Sequence, residues 1–396
     1  MFENVASLPP DPILGLSEAF KKDTRENKMN LTVGVYKDEA GNTPLLNCVH
    51  TAEKQLCEAE TSKIYLGIDG LATFHEHARN LTLGDLIPQE RVSVFQTPGG
   101  TGALRVAGDF LGTAFAGSRV WLSTPTWPNH PSIFSAAGLQ VESYPYLASD
   151  GRTLDFAAMM DHLEGSARPG DILCMHGCCH NPSGVDLNEE QWAEVAALSA
   201  KKEMLPLIDF AYQGFGKGLE EDRVSLKAIA AAHQEFLVCS SYSKNFGLYG
   251  ERIGALLAVA PEEESNARLK SNIKRTIRVN YSNPPKHGAA IVAQVLGCPD
   301  LRTQWEAELS EMRNRIHAMR SGFVEAMQAR NCEVDFSFLL SQSGMFSFSG
   351  LNPMQVDWLK TEKAIYIVGS GRINVAGLSP QNMEYFADSV LEATKI

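Results

Sequence analysis

The chain has 396 residues, 44% hydrophobic and 21% charged, a composition suited to a globular protein of two or three domains. Its formal net charge of -12 opposes nucleic-acid phosphates, and no stretch interleaves Lys and Arg with aromatics, so nucleic acid is not an expected partner. No apolar run reaches the ~18 to 20 residues of a membrane span, and the start, MFENVASLPPDPILGL, lacks the basic-then-apolar order of a secretion signal. Eight cysteines without the paired Cys-x-x-Cys spacing of a zinc ribbon read as reduced thiols, so a cytoplasmic protein without a membrane partner is expected.

From about residue 65 to residue 259, short β-branched or apolar runs alternate with longer helix-like segments, the pattern of parallel strands joined by helical crossovers. Strands are predicted at 92–97 (VSVFQT), 119–124 (RVWLST), 171–176 (DILCMH), 205–210 (LPLIDF), 236–241 (FLVCSS) and 253–259 (IGALLAV). Between them, segment 189–203 sets Trp192, Val195, Ala196 and Leu198 at helical spacing. After residue 300, WEAELSEMRNRIHAMRSGFVEAMQAR reads as one long charged amphipathic helix that carries the chain into a smaller domain.

In open α/β sheets ligands bind beyond the carboxyl ends of the strands, so the residues just after each predicted strand are the candidates for chemistry. TPGGTGALR places Gly99, Gly100, Thr101 and Gly102 at a turn into a helix, either a cup of N–H groups for a phosphate or a tight turn only; it is neither a Walker loop nor G-x-G-x-x-G. DFAYQGF puts Asp209 at the end of an apolar run, where a carboxylate needs a cation, with Tyr212 three residues on; a helix cap or turn closure is the plainer alternative. SSYSKNFGLYGERIG offers Ser241, Ser243, Lys244 and Arg252 after a strand, and Lys is the side chain that condenses with carbonyl cofactors, although a loop lysine alone is ordinarily just solvated. Arg372 in GSGRINVAG and Arg278 in IRVNYSNPP suit bidentate recognition of carboxylates, or surface ion pairs. Together a lysine, an acid, phenolate donors and a phosphate cup are the needs of pyridoxal phosphate.

With SSYSKNFGLYGERIG, HGCCHNPSG, DFAYQGF, TPGGTGALR, YLGIDG and NYSNPP in this order, essentially the whole chain resembles the aspartate aminotransferase group of fold type I pyridoxal phosphate enzymes. The resemblance implies an α/β fold: a large domain (44–311) with a mostly parallel seven-stranded sheet flanked by helices, a smaller α/β domain (13–43 and 312–396), and an arm (1–12) lying on a partner subunit. It implies that Lys244 carries pyridoxal 5'-phosphate as an aldimine and later shuttles the substrate proton. Asp209 is expected on the ring nitrogen, Tyr212 and Asn181 on the phenolic oxygen, and Trp127 on the ring face. Gly99, Gly100, Thr101, Ser241, Ser243 and Arg252 are expected around the phosphate, with Tyr65 reaching in from the partner. For the substrate, Arg372 is expected on the α-carboxylate and Arg278 of the partner subunit on the side-chain carboxylate, with Gly34, Trp127, Asn181 and Phe346 lining the pocket. The implied activity is ping-pong transfer of the amino group of L-aspartate to 2-oxoglutarate by an obligate homodimer. Main activity on aromatic amino acids, or a lyase or decarboxylase on the same fold, are the alternatives.

The chain departs from the group in places. Ser183 stands where threonine is usual but keeps the hydroxyl, Thr124 precedes Pro125 where asparagine is frequent, and the apolar Ile64 before Tyr65 is the kind of residue found in relatives that accept aromatic substrates. CMHGCCHNPSG packs three cysteines and two histidines into seven residues, yet their adjacency leaves few tetrahedral combinations, so no metal is expected and the cysteines are read as packing behind the sheet.

Overall fold

The computed structural model describes residues 1–7 and 14–396; residues 8–12 of the expected arm lie outside them. Eleven strands are present among the described residues: β1 (Met29–Asn30), β2 (Val92–Pro98), β3 (Arg119–Thr124), β4 (Gln140–Pro145), β5 (Ile172–His176), β6 (Leu205–Phe210), β7 (Phe236–Ser241), β8 (Ile253–Val259), β9 (Phe346–Phe348), β10 (Ile365–Tyr366) and β11 (Arg372–Asn374). Seven form one sheet in the order β2-β8-β7-β6-β5-β3-β4.

All six strands read from the sequence are in this sheet, which has the expected seven strands and is mostly parallel, and two of its features were not read from the chain. β8 runs antiparallel to both β2 and β7, because it follows β7 through the short loop 242–252 rather than a helical crossover. β4 is an additional edge strand, partly exposed and built of QVESYP, so it lacks the apolar run that marks the interior strands. In contrast, every residue of β5, β7 and β8 is buried, as both faces of the sheet are covered.

The helix Gly99–Ala114 starts where β2 ends and lays Ala103, Leu104, Ala107 and Leu111 onto one sheet face, in an apolar cluster with Leu207, Leu237 and Leu256. The helix Glu189–Lys201 is opened by a capping box between Asn188 and Gln191 and buries Trp192, Val195 and Ala196 on the other face. The long helix spans Pro299–Ala329, beginning six residues before the predicted amphipathic run, with Pro at its first turn. It buries Trp305, whose Nε1–H donates to the Asn245 carbonyl at 2.7 Å, and then Leu309, Met312, Ile316 and Phe323. The C-terminal residues form β9 antiparallel to β11, which places Arg372 opposite Phe348 and Asn374 opposite Phe346, and the N-terminal β1 joins them by pairing parallel with β10.

Candidate active site

A cavity of about 680 Å³ opens beyond the carboxyl ends of β5, β6 and β7. Gly34, Gly100, Thr101, Trp127, Asn181, Asp209, Tyr212, Ser241, Ser243, Lys244, Arg252, Phe346 and Arg372 all line it, so one pocket gathers candidates from across the sequence.

Lys244 follows β7, with its ammonium 4.8 Å above the Tyr212 ring and no hydrogen-bond or ion-pair partner among the described residues. Burial and the charge of Arg252 lower its pKa against the pull of Asp209, which favours a free amine able to act as nucleophile and base. Asp209, the fifth residue of β6, is buried; His130 Nε2–H donates to its Oδ2 at 3.0 Å and leaves Oδ1 without a protein partner among the described residues. Burial pushes this carboxyl up, but the hydrogen bond from His130, with smaller electrostatic contributions from the groups around it, outweighs burial and holds the group below its ordinary value. Asp209 is thus an anion with one free oxygen, fit to pair with a protonated heteroaromatic nitrogen.

At the other end of the cavity the first turn of Gly99–Ala114 presents unpaired N–H groups beside Ser241, Ser243 and Arg252. A Cβ on Gly100 would lie 3.1 Å from Ser241 Cβ, and one on Gly99, whose φ is +74°, would lie 2.5 Å from Arg252 Nη2; only glycine lets the helix start come this close. Arg252 donates to Ser243 Oγ at 3.4 Å and to the Tyr249 carbonyl at 3.1 Å and has no carboxylate partner among the described residues. A hydroxyl-rich, cationic cup at a helix N-terminus is suited to a phosphate.

Facing this cup, Arg372 donates from Nη2 to the Thr32 carbonyl at 2.6 Å and from Nη1 to Asn181 Oδ1 at 3.4 Å, and its buried Nε has no partner. Its guanidinium lies 4.2 Å over the Phe346 ring, and burial lowers its pKa to about 10. The orphaned Nε–H of a buried guanidinium fits a ligand carboxylate. Phe346 reaches this position because Gly34 has no Cβ; one built there would lie 2.5 Å from Phe346 Cζ.

Three candidates are elsewhere in the chain. Gly99 packs behind Arg252 without lining the cavity. Tyr65, exposed, lines a separate cavity of about 570 Å³ with Ile64, Pro285 and Lys286, while Arg278 is exposed and donates to Ser282 Oγ at 2.5 Å. The cysteines divide between two cores: Cys174 packs with Leu207 and Cys239, whereas Cys178 and Cys179 lie past the strand end in the other cluster. Cys178, Cys179 and Asp222 approach one another within 4.8 Å, but the Asp222 oxygens already accept N–H donors from Gly214, Gly216, Lys217 and Gly218, and its neighbours push the Cys178 thiol up, so the group is suited to closing a turn rather than to binding a cation.

Sequence reasoning missed His130, His176 and Tyr249. His130 is buried behind Asp209, with Nδ1 at 2.8 Å from Thr126 Oγ1, and the Thr-x-x-x-His spacing at a helix start was the available signal. His176 ends β5 and lines the cavity; burial and His130 hold it down to about 3. Tyr249 lines the cavity and accepts the Tyr36 N–H through its hydroxyl at 2.9 Å.

Residues 26–390 match the family model for aminotransferase class I and II. The chain is 52% identical to the aspartate aminotransferase of Escherichia coli (strain K12), over 99% of each chain, and 46% identical to the aromatic-amino-acid aminotransferase of Pseudomonas aeruginosa, over 99% and 98%. Among solved structures, the aromatic-amino-acid aminotransferase of Burkholderia pseudomallei covalently bound to pyridoxal phosphate superposes with a TM-score of 0.97 at 47% identity over 99% of both chains. The cytoplasmic aspartate aminotransferase of Saccharomyces cerevisiae does so with 0.96 at 35% identity, covering 100% and 98%. The chain belongs to the class I and II aminotransferase family and has the fold of its pyridoxal phosphate enzymes.

Proposed function

We propose that the protein is an aspartate aminotransferase that moves the amino group of L-aspartate to 2-oxoglutarate, giving oxaloacetate and glutamate in ping-pong fashion. The observation that carries this is Lys244, an unpartnered amine between the free Oδ1 of Asp209 and the helix-start cup, facing Arg372 across one cavity. That donor set fits pyridoxal 5'-phosphate: an amine for its aldehyde, a carboxylate for its ring nitrogen, and Gly100, Thr101, Ser241, Ser243 and Arg252 for its phosphate. When bound, the ring supplies an electron sink for the carbanion formed at the substrate α-carbon.

The chain's own residues divide the remaining work. Lys244 Nζ would hold the cofactor's aldehyde carbon and, once released by an incoming amino acid, would be the base that takes the α-proton and gives it back. Asp209 keeps a proton on the ring nitrogen, and His130 keeps Asp209 ionised and aimed. Tyr212 and Asn181 orient the phenolic oxygen, and Trp127 covers the ring. Arg372 binds the α-carboxylate and Phe346 helps exclude water.

Tyr65 and Arg278 are remote from this cavity, which supports a homodimer in which Tyr65 of the partner subunit and Arg278 of the partner subunit complete the site. The pairing of β1 with β10 and of β9 with β11 supports residues 13–43 and 312–396 as a small domain that closes over residues 44–311. In this reading the N-terminal arm lies on the partner and the enzyme works in the cytoplasm. The apolar Ile64 and the aromatic-specific relatives favour, as a second reading, turnover of aromatic amino acids at the same site. Comparing kcat/KM for aspartate, tyrosine and phenylalanine with 2-oxoglutarate tests both: aspartate ahead by at least tenfold supports the first, and an aromatic substrate ahead supports the second.

A further inference from the structure

Asn181 sits in a segment whose backbone is held from several sides. The N–H groups of the two residues before it, Cys179 and His180, donate to Oδ2 and Oδ1 of Asp186, each at 2.8 Å. Cys179 is in the left-handed region at φ +52°, a costly conformation for a residue with a side chain, so something must hold it there. The His180 ring meets Ser183 Oγ at 2.8 Å and Ser123 Oγ at 3.0 Å, and stacks on Tyr146 with centroids 4.1 Å apart. Gly184 N–H closes the turn on the His180 carbonyl at 2.7 Å, and the Gly184 carbonyl accepts from Ser343 N–H at 2.7 Å, which ties the turn to the segment that leads to Phe346.

Asp186 has no ion-pair partner among the described residues, although Arg320 and Asp222 lie near enough to act on it in opposite senses. Its enclosure pushes the carboxyl up to about 6 against the two N–H donors, so an anion is kept in an unfavourable place. What it provides there is a pair of charge-assisted hydrogen bonds to consecutive backbone groups.

We propose that Asp186 is a positioning residue for Asn181: by clamping the N–H groups of Cys179 and His180 it sets the Asn181 amide, with Oδ1 toward Arg372 and Nδ2 free for the cofactor's phenolic oxygen. This rests on the reading that Asn181 serves that oxygen, and it adds a residue that does not itself line the cavity.

An amide donor on the phenolic oxygen favours the form in which that oxygen is anionic, so it lowers the pH midpoint at which the visible band of the Lys244-bound cofactor changes colour. The test is a spectrophotometric pH titration of the holoenzyme for the wild type, Asn181→Ala, Asp186→Asn and the double variant. Asp186→Asn keeps one acceptor and turns an N–H toward the other donor; Asp186→Ser, smaller and unable to repel both, is run beside it in case the amide prevents folding. Either Asp186 variant should raise the midpoint by about one pH unit, as Asn181→Ala should, and lower kcat/KM for aspartate about tenfold. In the double variant the midpoint should equal that of Asn181→Ala alone, since the clamp acts only through the amide. A folded Asp186 variant with the wild-type midpoint beside a shifted Asn181→Ala overturns the proposal, and so does a double variant in which the two shifts add. An unshifted Asn181→Ala is a different result: it removes the assignment of Asn181 to the phenolic oxygen, and the proposal with it.

Discussion

His130 donates its Nε2–H to Asp209 Oδ2 at 3.0 Å, with both side chains buried, so the acid at the end of β6 is oriented by a residue from the start of the helix Asn129–Ala136 that follows β3. The bond holds Asp209 in its charged form and leaves Oδ1 free toward the cavity.

Removing that donor should move the acid limb of the pH profile. Without it, burial dominates and the Asp209 pKa rises, so proton loss from Asp209 occurs at higher pH. His130→Leu should lower kcat/KM for aspartate by at least tenfold, more at pH 6 than at pH 8. A profile parallel to that of the wild type across this range would show that His130 does not tune Asp209.

Among the described residues, Arg372 is the one guanidinium lining the cavity on the side opposite Arg252, and its Nε is unpartnered. Arg372→Leu should raise the KM for aspartate about 100-fold, the cost of losing a buried charge-assisted pair, while the visible band of the bound cofactor persists. Steady-state kinetics with the absorbance spectrum read both.

If each site is shared between two subunits, as proposed, mixing variants has a consequence. Lys244→Ala and Arg278→Ala should each be poorly active with aspartate, yet subunits mixed and allowed to exchange should regain activity, because one site of each hybrid then has both intact residues. Activity no higher than the sum of the two separate variants, with exchange demonstrated, would place Arg278 outside the partner's site.

Stability has its own anchor away from the chemistry. Asp171 accepts from Arg119 at 2.5 Å, from Trp121 Nε1–H at 2.8 Å and from Arg168 N–H at 2.9 Å. Burial raises its carboxyl pKa, but these donors outweigh it and bring the pKa below the ordinary value. A group lowered in this way contributes stability above its unfolded pKa and loses it as pH falls through the folded one. Asp171→Asn should cost about 3 kcal/mol at pH 7 by urea denaturation and flatten the loss of stability below about pH 4, with kcat nearly unchanged.

Much of this was legible because the interior strands are continuous apolar runs and the site residues follow them directly. FLVCSS and IGALLAV announce buried strands, but a strand covered on both faces looks the same in either direction, so the antiparallel β8 was not readable. QVESYP, at the sheet edge, carries too little apolar patterning to be seen as β4. In the site, Lys244, Asp209 and Arg372 belong to distinctive motifs, whereas His130 and Asp186 act through other residues. Their roles depend on distances across the fold: a buried imidazole behind β6 and a carboxylate turned back on two N–H groups.

The most direct measurement is an absorbance titration of the purified protein with pyridoxal phosphate. A visible band should form, bleach on addition of aspartate, return with 2-oxoglutarate, and be absent in Lys244→Ala. No band in the wild type after adding the cofactor, or the same band and the same cycling in Lys244→Ala, would contradict the assignment of Lys244 as the residue that carries the chemistry.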